Sequence, residues 1–391
     1  MLPNYYQFYC PVKILCGQLA VSNIPFEMGL FGCKRAMIVT DKGVVQAGLI
    51  DIVKSAFADS DVEIGYVFDR VPQDSSTRIA GQIARAFKKE KCDCFIAVGG
   101  GSALDSAKGA NIVISEKTSD ILKLQGADKL RADMRLLIAV PTTAGTGSEV
   151  TKVAVIYNEK AEVKMSFVSD KLYPHIAVID PRMTLTMPPL ITAATGMDAL
   201  THAVEAYSCL QKNPIDDVFA KAAMELIRQY LVRATEDGKD QEARMGMANA
   251  ALFAGIAFSN SMVGMVHALA HALGGVCHVP HGMANGILLP WCLEYNMEKT
   301  PELIAELSEV LGGARGFLEA PEQARETIAL IRNLLKRLNS ICGLPTRLRD
   351  AQVTQDKLTQ TARAAINDGA LIYSPREVSY EDALLIYQKA F

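Results

Sequence analysis

The sequence lacks an excess of charge of either sign: 40 Lys and Arg against 43 Asp and Glu leave a net charge of -3. With a pI near 6.1 it carries no basic footprint for nucleic acid or an anionic membrane surface. No apolar run reaches the roughly 18 residues that a membrane span needs. The amino terminus, MLPNYYQFYCPVK, sets no basic segment ahead of a long apolar one, which predicts no signal peptide. A disulfide framework is missing too, because nine cysteines is an odd number and the one close pair, Cys92 and Cys94, has neither zinc-finger nor redox spacing. Reduced thiols in a cytoplasmic protein are the expectation. There are no repeats and no low-complexity tract, and without an H-E-x-x-H there is no signature of a zinc hydrolase.

What is present is ample apolar material. Half of the 391 residues are hydrophobic and 21% are charged, a globular composition in a chain too long for one core and suited to two domains. The first half alternates short β-rich runs with helical spacing, the pattern of a parallel sheet covered by helices. Strands are expected at 36–40, 62–68, 94–98, 136–141, 152–157, 163–168 and 176–180, with helices from Val45 to Phe57 and from Thr77 to Lys89. From about Pro188 onward Ala, Leu, Met, Glu and Lys dominate, and helical segments such as Asp216 to Val232 and Gln241 to Phe258 follow one another. The Pro188, Pro189 pair marks the change, giving an α/β domain over residues 1–185 and an all-helical one over 186–391.

The strand at 94–98 runs straight into Gly99, Gly100, Gly101 and Ser102 and then into helical spacing. A strand turning on glycines into a helix N-terminus makes an anion site suited to a pyrophosphate, because backbone N–H groups point at the ligand and no Cβ blocks it. Leu104 stands where G-x-G-x-x-G would have its last glycine, so this is not the ordinary dinucleotide fingerprint. The plainer reading is a tight turn in which Ser102 caps the helix and Asp105 completes a capping box. A second small-residue loop, PTTAGTGSEVT from Pro141 to Thr151, also follows a strand and offers amides and hydroxyls to a polar ligand. Two such loops at strand C-termini would lie side by side at the mouth of one sheet, where open α/β sheets bind ligands. Asp41, at another strand end, suits the adenosine ribose hydroxyls and disfavours a 2′-phosphate, against the plainer reading of a helix N-cap. Lys164 can reach a phosphate or ribose, or simply face solvent.

Four of the six histidines fall in HALAHALGGVCHVPH, residues 267–281. His267 and His271 are spaced i, i+4, as are Asp198 and His202 in GMDALTHAVEAY, so each pair projects from one face of a helix. Asp198, His202, His267 and His281 can close three nitrogens and one oxygen around a divalent ion and leave room for a substrate oxygen. A single helical histidine is usually a satisfied polar group, but two such pairs in apolar helices would leave costly unpaired polar groups without a shared ligand. His278 falls off this pattern, as a loop residue would. Nitrogen and oxygen donors suit Fe²⁺, Zn²⁺, Mn²⁺ or Ni²⁺, and raw affinity favours Zn²⁺ over Fe²⁺.

GGGSALDSAK (99–108), PTTAGTGSEVT (141–151), GMDALTHAVEAY (196–207), MVHALAHALGG and HVPHGMANGILLP (within 265–290) together resemble the iron-dependent, group III alcohol dehydrogenases along nearly the whole chain. The resemblance implies a dehydroquinate synthase-like architecture: an N-terminal nucleotide-binding α/β domain followed by an all-α metal-binding domain. It implies Asp198, His202, His267 and His281 as metal ligands, Fe²⁺ before Zn²⁺, NAD rather than NADP through Asp41, and Gly99 to Ser102 on the pyrophosphate. It also implies that Thr142, Thr143 and Thr146 line the nicotinamide side. Asp105 matches the aspartate of the glycine motif and stands as a catalytic candidate, and Phe258 and Ala370 match positions of the substrate pocket. His271 is the candidate for the proton path, with core packing as its plainer role.

Two stretches depart from the family pattern: Gln73-Asp74-Ser75 replaces a common Asn-Pro, and Ser374-Pro375-Arg376 replaces Asn-Pro-Arg. The expected reaction is hydride exchange between NAD(H) and short primary alcohols or diols, with the metal polarising the substrate oxygen. A homo-oligomer is expected, with no nucleic-acid or membrane partner. Glycerol dehydrogenase-like and dehydroquinate synthase-like enzymes are the nearest alternatives; a non-catalytic nucleotide-binding scaffold would leave a metal-ready cluster unexplained.

Overall fold

The computed structural model describes residues 3–159, 163–313 and 318–391. They form two compact units, one spanning Cys10–Met187 and the other Pro188–Phe391 together with the segment ending at Tyr9.

The Cys10–Met187 unit is built on nine strands: β1 (Lys13–Cys16), β2 (Arg35–Val39), β3 (Glu63–Phe68), β4 (Cys94–Gly99), β5 (Gly126–Ala127), β6 (Leu137–Pro141), β7 (Val153–Asn158), β8 (Val163–Val168) and β9 (Ile176–Ile179). Six of them form one parallel sheet in the order β1-β9-β6-β4-β2-β3. Helices α1 (Ile24–Leu30), α2 (Lys42–Gln46), α3 (Leu49–Ser55), α4 (Thr77–Lys89) and α5 (Gly101–Ser115) connect them.

Strands β4, β6 and β9 are buried at every position, as is β2 from Ala36 onward, because both faces of the sheet's centre are covered. Ile38, Ile96 and Ile138 enter one core with Val53 and Met28, while Met37, Val39, Phe95 and Ala97 enter another with Ile83 and Ala107. The order reverses between β2 and β4, and the ends of these two strands, at Asp41 and Gly99, flank the switch point where such sheets bind ligands.

Two expectations are corrected here. The single helix from Val45 to Phe57 is two short ones, because Gly48 turns the chain with a left-handed φ of 75° between α2 and α3. The runs at 152–157 and 163–168 do not extend the parallel sheet: β7 and β8 pair antiparallel and form a separate sheet in the order β5-β8-β7.

The second unit is helical, with α6 (Pro189–Ser208), α7 (Pro214–Glu236), α8 (Gln241–Ser261), α9 (Met265–Cys277), α10 (His281–Asn296), α11 (Pro301–Ala305), α12 (Ala320–Cys342), α13 (Leu358–Ala365) and α14 (Tyr380–Ala390). Asn213, Asp240 and Ser379 cap α7, α8 and α14 through side-chain oxygens that accept from backbone N–H groups. Helices α6, α8 and α9 are mostly buried, so they show little amphipathic contrast and read as core throughout. The break between α8 and α9 turns the axis by 104°. No single helix among the described residues is long and apolar enough to cross a membrane.

Candidate metal centre and nucleotide loops

Helix α6 presents Asp198 and His202 one turn apart, α9 presents His267, and α10 begins with His281. One donor atom from each of these four residues lies within 4.8 Å of the other three. Asp198 Oδ1 stands 3.5 Å from His281 Nε2 and 4.0 Å from His267 Nε2. His202 stacks on His267 at 4.5 Å and on Phe258 at 4.2 Å between ring centroids. Asp198, His202 and His267 are buried, and His281 is half-buried.

The donor set fits a divalent cation. Burial and the adjacent His202 ring push His267 well below the ordinary imidazole range, so it is a neutral ligand. Asp198 is held below the usual carboxylate range: burial raises it, and the rings of His202, His281 and His267 outweigh that effect.

A second observation concerns Asn285, one turn along α10 from His281. Its Nδ2 reaches Asp198 Oδ1 at 2.7 Å and the Nε2 atoms of His267 and His281 at 3.2 Å each. An amide nitrogen has two hydrogens to offer three acceptors. The lone pairs therefore converge on a point that Asn285 alone does not saturate, an arrangement that suits a cation.

Sequence reasoning missed the residues that orient this cluster. Glu205, one turn beyond Thr201 on the buried face of α6, accepts from Val266 N at 2.7 Å and lies 2.6 Å from His267 Nδ1. It ties the start of α9 to α6 and fixes the tautomer that points the lone pair of Nε2 inward. Burial pushes its carboxyl up to about 7, against the backbone amides at 264, 266 and 267 that favour the charged form. His271 Nδ1 lies 2.8 Å from Asp368 Oδ2, and its ring stacks on His281 at 5.3 Å.

Asp368 was not singled out because it lies 97 positions from His271 in sequence. Its other oxygen accepts from the amide of Ala370 at 2.8 Å, which puts Ala370 beside the His271 pair. His278 is the left-handed C-cap of α9 and takes no part in the cluster.

In the sheet unit, Gly99 turns the chain with φ 156°, where a Cβ would stand 2.6 Å from Ala103 Cβ. Helix α5 starts at Gly101 with no side-chain cap. The capping-box reading fails: the Ser102 hydroxyl donates to Gln73 O, and Asp105 accepts instead from Ser148 Oγ at 2.8 Å and Val155 N at 3.0 Å. Asp105 thus has both oxygens engaged as an anchor for the second loop. The two loops touch, since Cβ atoms built on Gly100 and Gly101 would stand 3.2 Å from Thr143 Oγ1 and 3.0 Å from Thr146 Cγ2. Thr142 N donates to Gly99 O at 3.0 Å.

Lys108, also unanticipated, is buried beneath the loops and donates to Thr151 O, Thr151 Oγ1 and Val153 O at 2.8–3.1 Å. Asp41 caps α2, accepting from Val44 N at 3.0 Å, and its second oxygen faces the Gly99 turn. The Lys164 ammonium is held by Asp74 at 2.8 Å and would reach a nucleotide only by exchanging that partner.

An uncapped glycine turn at the switch point of a parallel sheet, with a buried Asp–His₃ cluster in a helical unit, is the combination expected of a nucleotide-linked, metal-dependent oxidoreductase. Residues 11–181 match the family described as iron-containing alcohol dehydrogenase, and residues 192–391 match its C-terminal counterpart. The chain is 36% identical over 389 residues to 1,3-propanediol dehydrogenase of Klebsiella pneumoniae, covering 99% of both chains. It is 33% identical over 384 residues to NAD-dependent methanol dehydrogenase of Bacillus methanolicus, covering 98% of this chain and 99% of that one. A solved structure of 1,3-propanediol oxidoreductase superposes with a TM-score of 0.94 at 36% identity, over 99% of this chain and 100% of that one. The chain belongs to the iron-containing alcohol dehydrogenase family and is an oxidoreductase acting on alcohols.

Proposed function

We propose that the protein interconverts short primary alcohols or diols and their aldehydes, with NAD as redox partner and a divalent iron as resident metal. The observation that carries this reading is the convergence of Asp198, His202, His267 and His281 on one point that Asn285 cannot saturate. The activities of the Klebsiella and Bacillus relatives, on 1,3-propanediol and methanol, support the substrate class, and the NAD dependence of the latter supports the coenzyme.

When bound, the iron supplies Lewis acidity worth several kcal/mol at a substrate oxygen, and NAD supplies the hydride acceptor. The protein's own residues do the rest. Asp198, His202, His267 and His281 hold the metal, and Glu205 orients His267. Backbone amides from Gly99 to Ser102 face the pyrophosphate, while Thr142, Thr143 and Thr146 support the nicotinamide side. Asp41 accepts from the adenosine ribose, and Lys164 completes the polar rim. With Nδ1 committed to Asp368, His271 has Nε2 left to take and return the alcohol proton. Phe258 and Ala370 wall the substrate. Asp105 acts through the second loop. In this reading residues 1–185 bind the nucleotide and 186–391 bind the metal.

A cytoplasmic location is supported by the nine cysteines, none of which is in a disulfide. A homo-oligomer is supported by the edge strand β1, whose Ile14 is exposed, as are Leu19, Phe26, Leu30 and Phe31 of the same unit.

The test is an anaerobic NADH-absorbance assay on metal-stripped protein reconstituted separately with Fe²⁺ and Zn²⁺, across short alcohols, diols and their aldehydes. Turnover restored by Fe²⁺ and ranked by chain length is the expected result. No NADH change with either ion, despite bound metal and bound NADH, would overturn the reading in favour of a lyase with no net redox change.

A further inference from the structure

The thiols are absorbed by none of this chemistry, yet two of them are paired. Cys92 and Cys94 look like neighbours in sequence, but the sheet separates them, sending Cys92 into the core beneath α4 and Cys94 into the opposite one. The partner of Cys94 is Cys33, in the turn before β2. One donor atom each from Cys33, Asp93 and Cys94 lies within 4.8 Å of the other two.

We propose that Cys33, Asp93 and Cys94 form a second metal site, for a thiophilic divalent cation of the zinc class, in the sheet unit. The geometry is fixed by backbone, as a preorganised site needs. Asp93 N donates to Arg35 O at 2.9 Å, and the Asp93 carboxylate accepts from Lys34 N at 2.8 Å and Arg35 N at 3.1 Å. Ala36 of β2 is registered against Cys94 of β4, so the two segments cannot slide apart without breaking the sheet. Cys94 is fully buried, whereas Cys33 and Asp93 are half-buried and give an ion its way in.

The site is separate from the nucleotide loops. Cys94 opens β4 and Gly99 closes it, which places the two at opposite ends of a strand, roughly 16 Å apart at ordinary strand rise.

Burial raises both thiols above their ordinary values, so each is protonated at rest. Binding is then an exchange, M²⁺ plus two R–SH giving M(SR)₂ plus two H⁺, with no change of oxidation state. The two thiolates cancel the charge of the ion, and a free lone pair of Asp93 supplies a third donor. Sulfur donors select zinc or cadmium over the ferrous ion suited to the nitrogen and oxygen donors of the helical unit. The two sites therefore sort metals by chemistry.

Cadmium is the probe, because sulfur-to-cadmium charge transfer absorbs in the ultraviolet and the Asp–His₃ cluster has no sulfur to produce it. The full chain is titrated with Cd²⁺ under a non-thiol reductant, which keeps Cys33 and Cys94 from being oxidised together. One equivalent should develop the band, zinc should compete it away, and His202→Ala should leave it intact. Cys33→Ser and, independently, Cys33→Ala should weaken it at least tenfold while circular dichroism shows the fold retained; Cys10→Ser and Cys277→Ser should not. Absence of the band in the unaltered protein, or a band that survives both Cys33 variants, would overturn the proposal and leave the alcohol dehydrogenase reading untouched.

Discussion

Glu205 Oε2 and His267 Nδ1 lie 2.6 Å apart, and that one contact decides which nitrogen of His267 faces Asp198. The same carboxylate accepts from Val266 N, so the start of α9 and the tautomer of its histidine are set by one side chain of α6. Glu205→Gln keeps an acceptor for the amides and loses the charge. We expect the variant to fold and to bind Fe²⁺ or Zn²⁺ about 10–100-fold more weakly, the usual effect of removing an orienting carboxylate. Chelator competition measures this without reference to turnover. Unchanged affinity would reduce Glu205 to a helix cap.

His267 and His271 sit one turn apart on α9 with different surroundings, and their variants should separate cleanly. His267→Ala should lose metal and activity together. His271→Ala should keep its metal and lose roughly 10²–10⁴-fold in kcat, the range for a positioned acid–base group. Metal analysis beside steady-state kinetics distinguishes the two. A metal-replete His267→Ala enzyme with normal turnover contradicts the ligand assignment.

Gly99 combines a φ of 156° with a Cβ position 2.6 Å from Ala103. Gly99→Ala should displace the start of α5 and weaken NADH binding by at least about tenfold, or 1.4 kcal/mol, with metal content unchanged. NADH fluorescence titration is the measurement, and wild-type affinity would show that the turn is not part of the nucleotide site.

Lys108 and Glu149 give a pH dependence with two limbs. Burial lowers Lys108 from 10.5 to about 8 and raises Glu149 from 4.5 to about 7. Between pH 4.5 and 7 the folded state binds more protons at Glu149 than the unfolded chain does, so this contribution to stability falls as pH rises. Between pH 8 and 10.5 the unfolded chain binds more protons at Lys108, so that contribution rises. Measured against a Lys108→Met, Glu149→Gln double variant by urea unfolding, wild-type stability should pass through a minimum between pH 7 and 8, on the order of 2–3 kcal/mol deep. A flat or monotonic difference curve would contradict this account of the pair.

The fold was largely legible because its central strands are buried on both faces and its helices carry long apolar runs. Met37, Ile38 and Val39 announce β2 whichever face each one takes. Asp198 with His202, and His267 with His271, were legible as donor types at helical spacing, whereas His281 was legible only as a further histidine of the same short stretch. Their supporting residues were not: Glu205 is one acidic residue in an apolar helix, and Asp368 meets His271 only through tertiary packing. Helix α3 was hidden because Val45 to Phe57 keeps helical spacing across Gly48, where the backbone does not. The Cys33–Cys94 proximity was hidden in the same way, since only the pairing of β2 with β4 creates it.

The sheet's strand order also bears on how the chain is made. Strand β1 is made well before its hydrogen-bonding partner β9, which ends at Ile179. At about 5–20 residues per second, translation keeps β1 waiting on the order of ten seconds for its place at the sheet edge. Through that interval the backbone groups of β1 that pair with β9 have no strand to meet, so the nascent unit carries an unpaired strand. Crowded synthesis is therefore a condition under which that unpaired strand can meet the edge of a neighbouring chain.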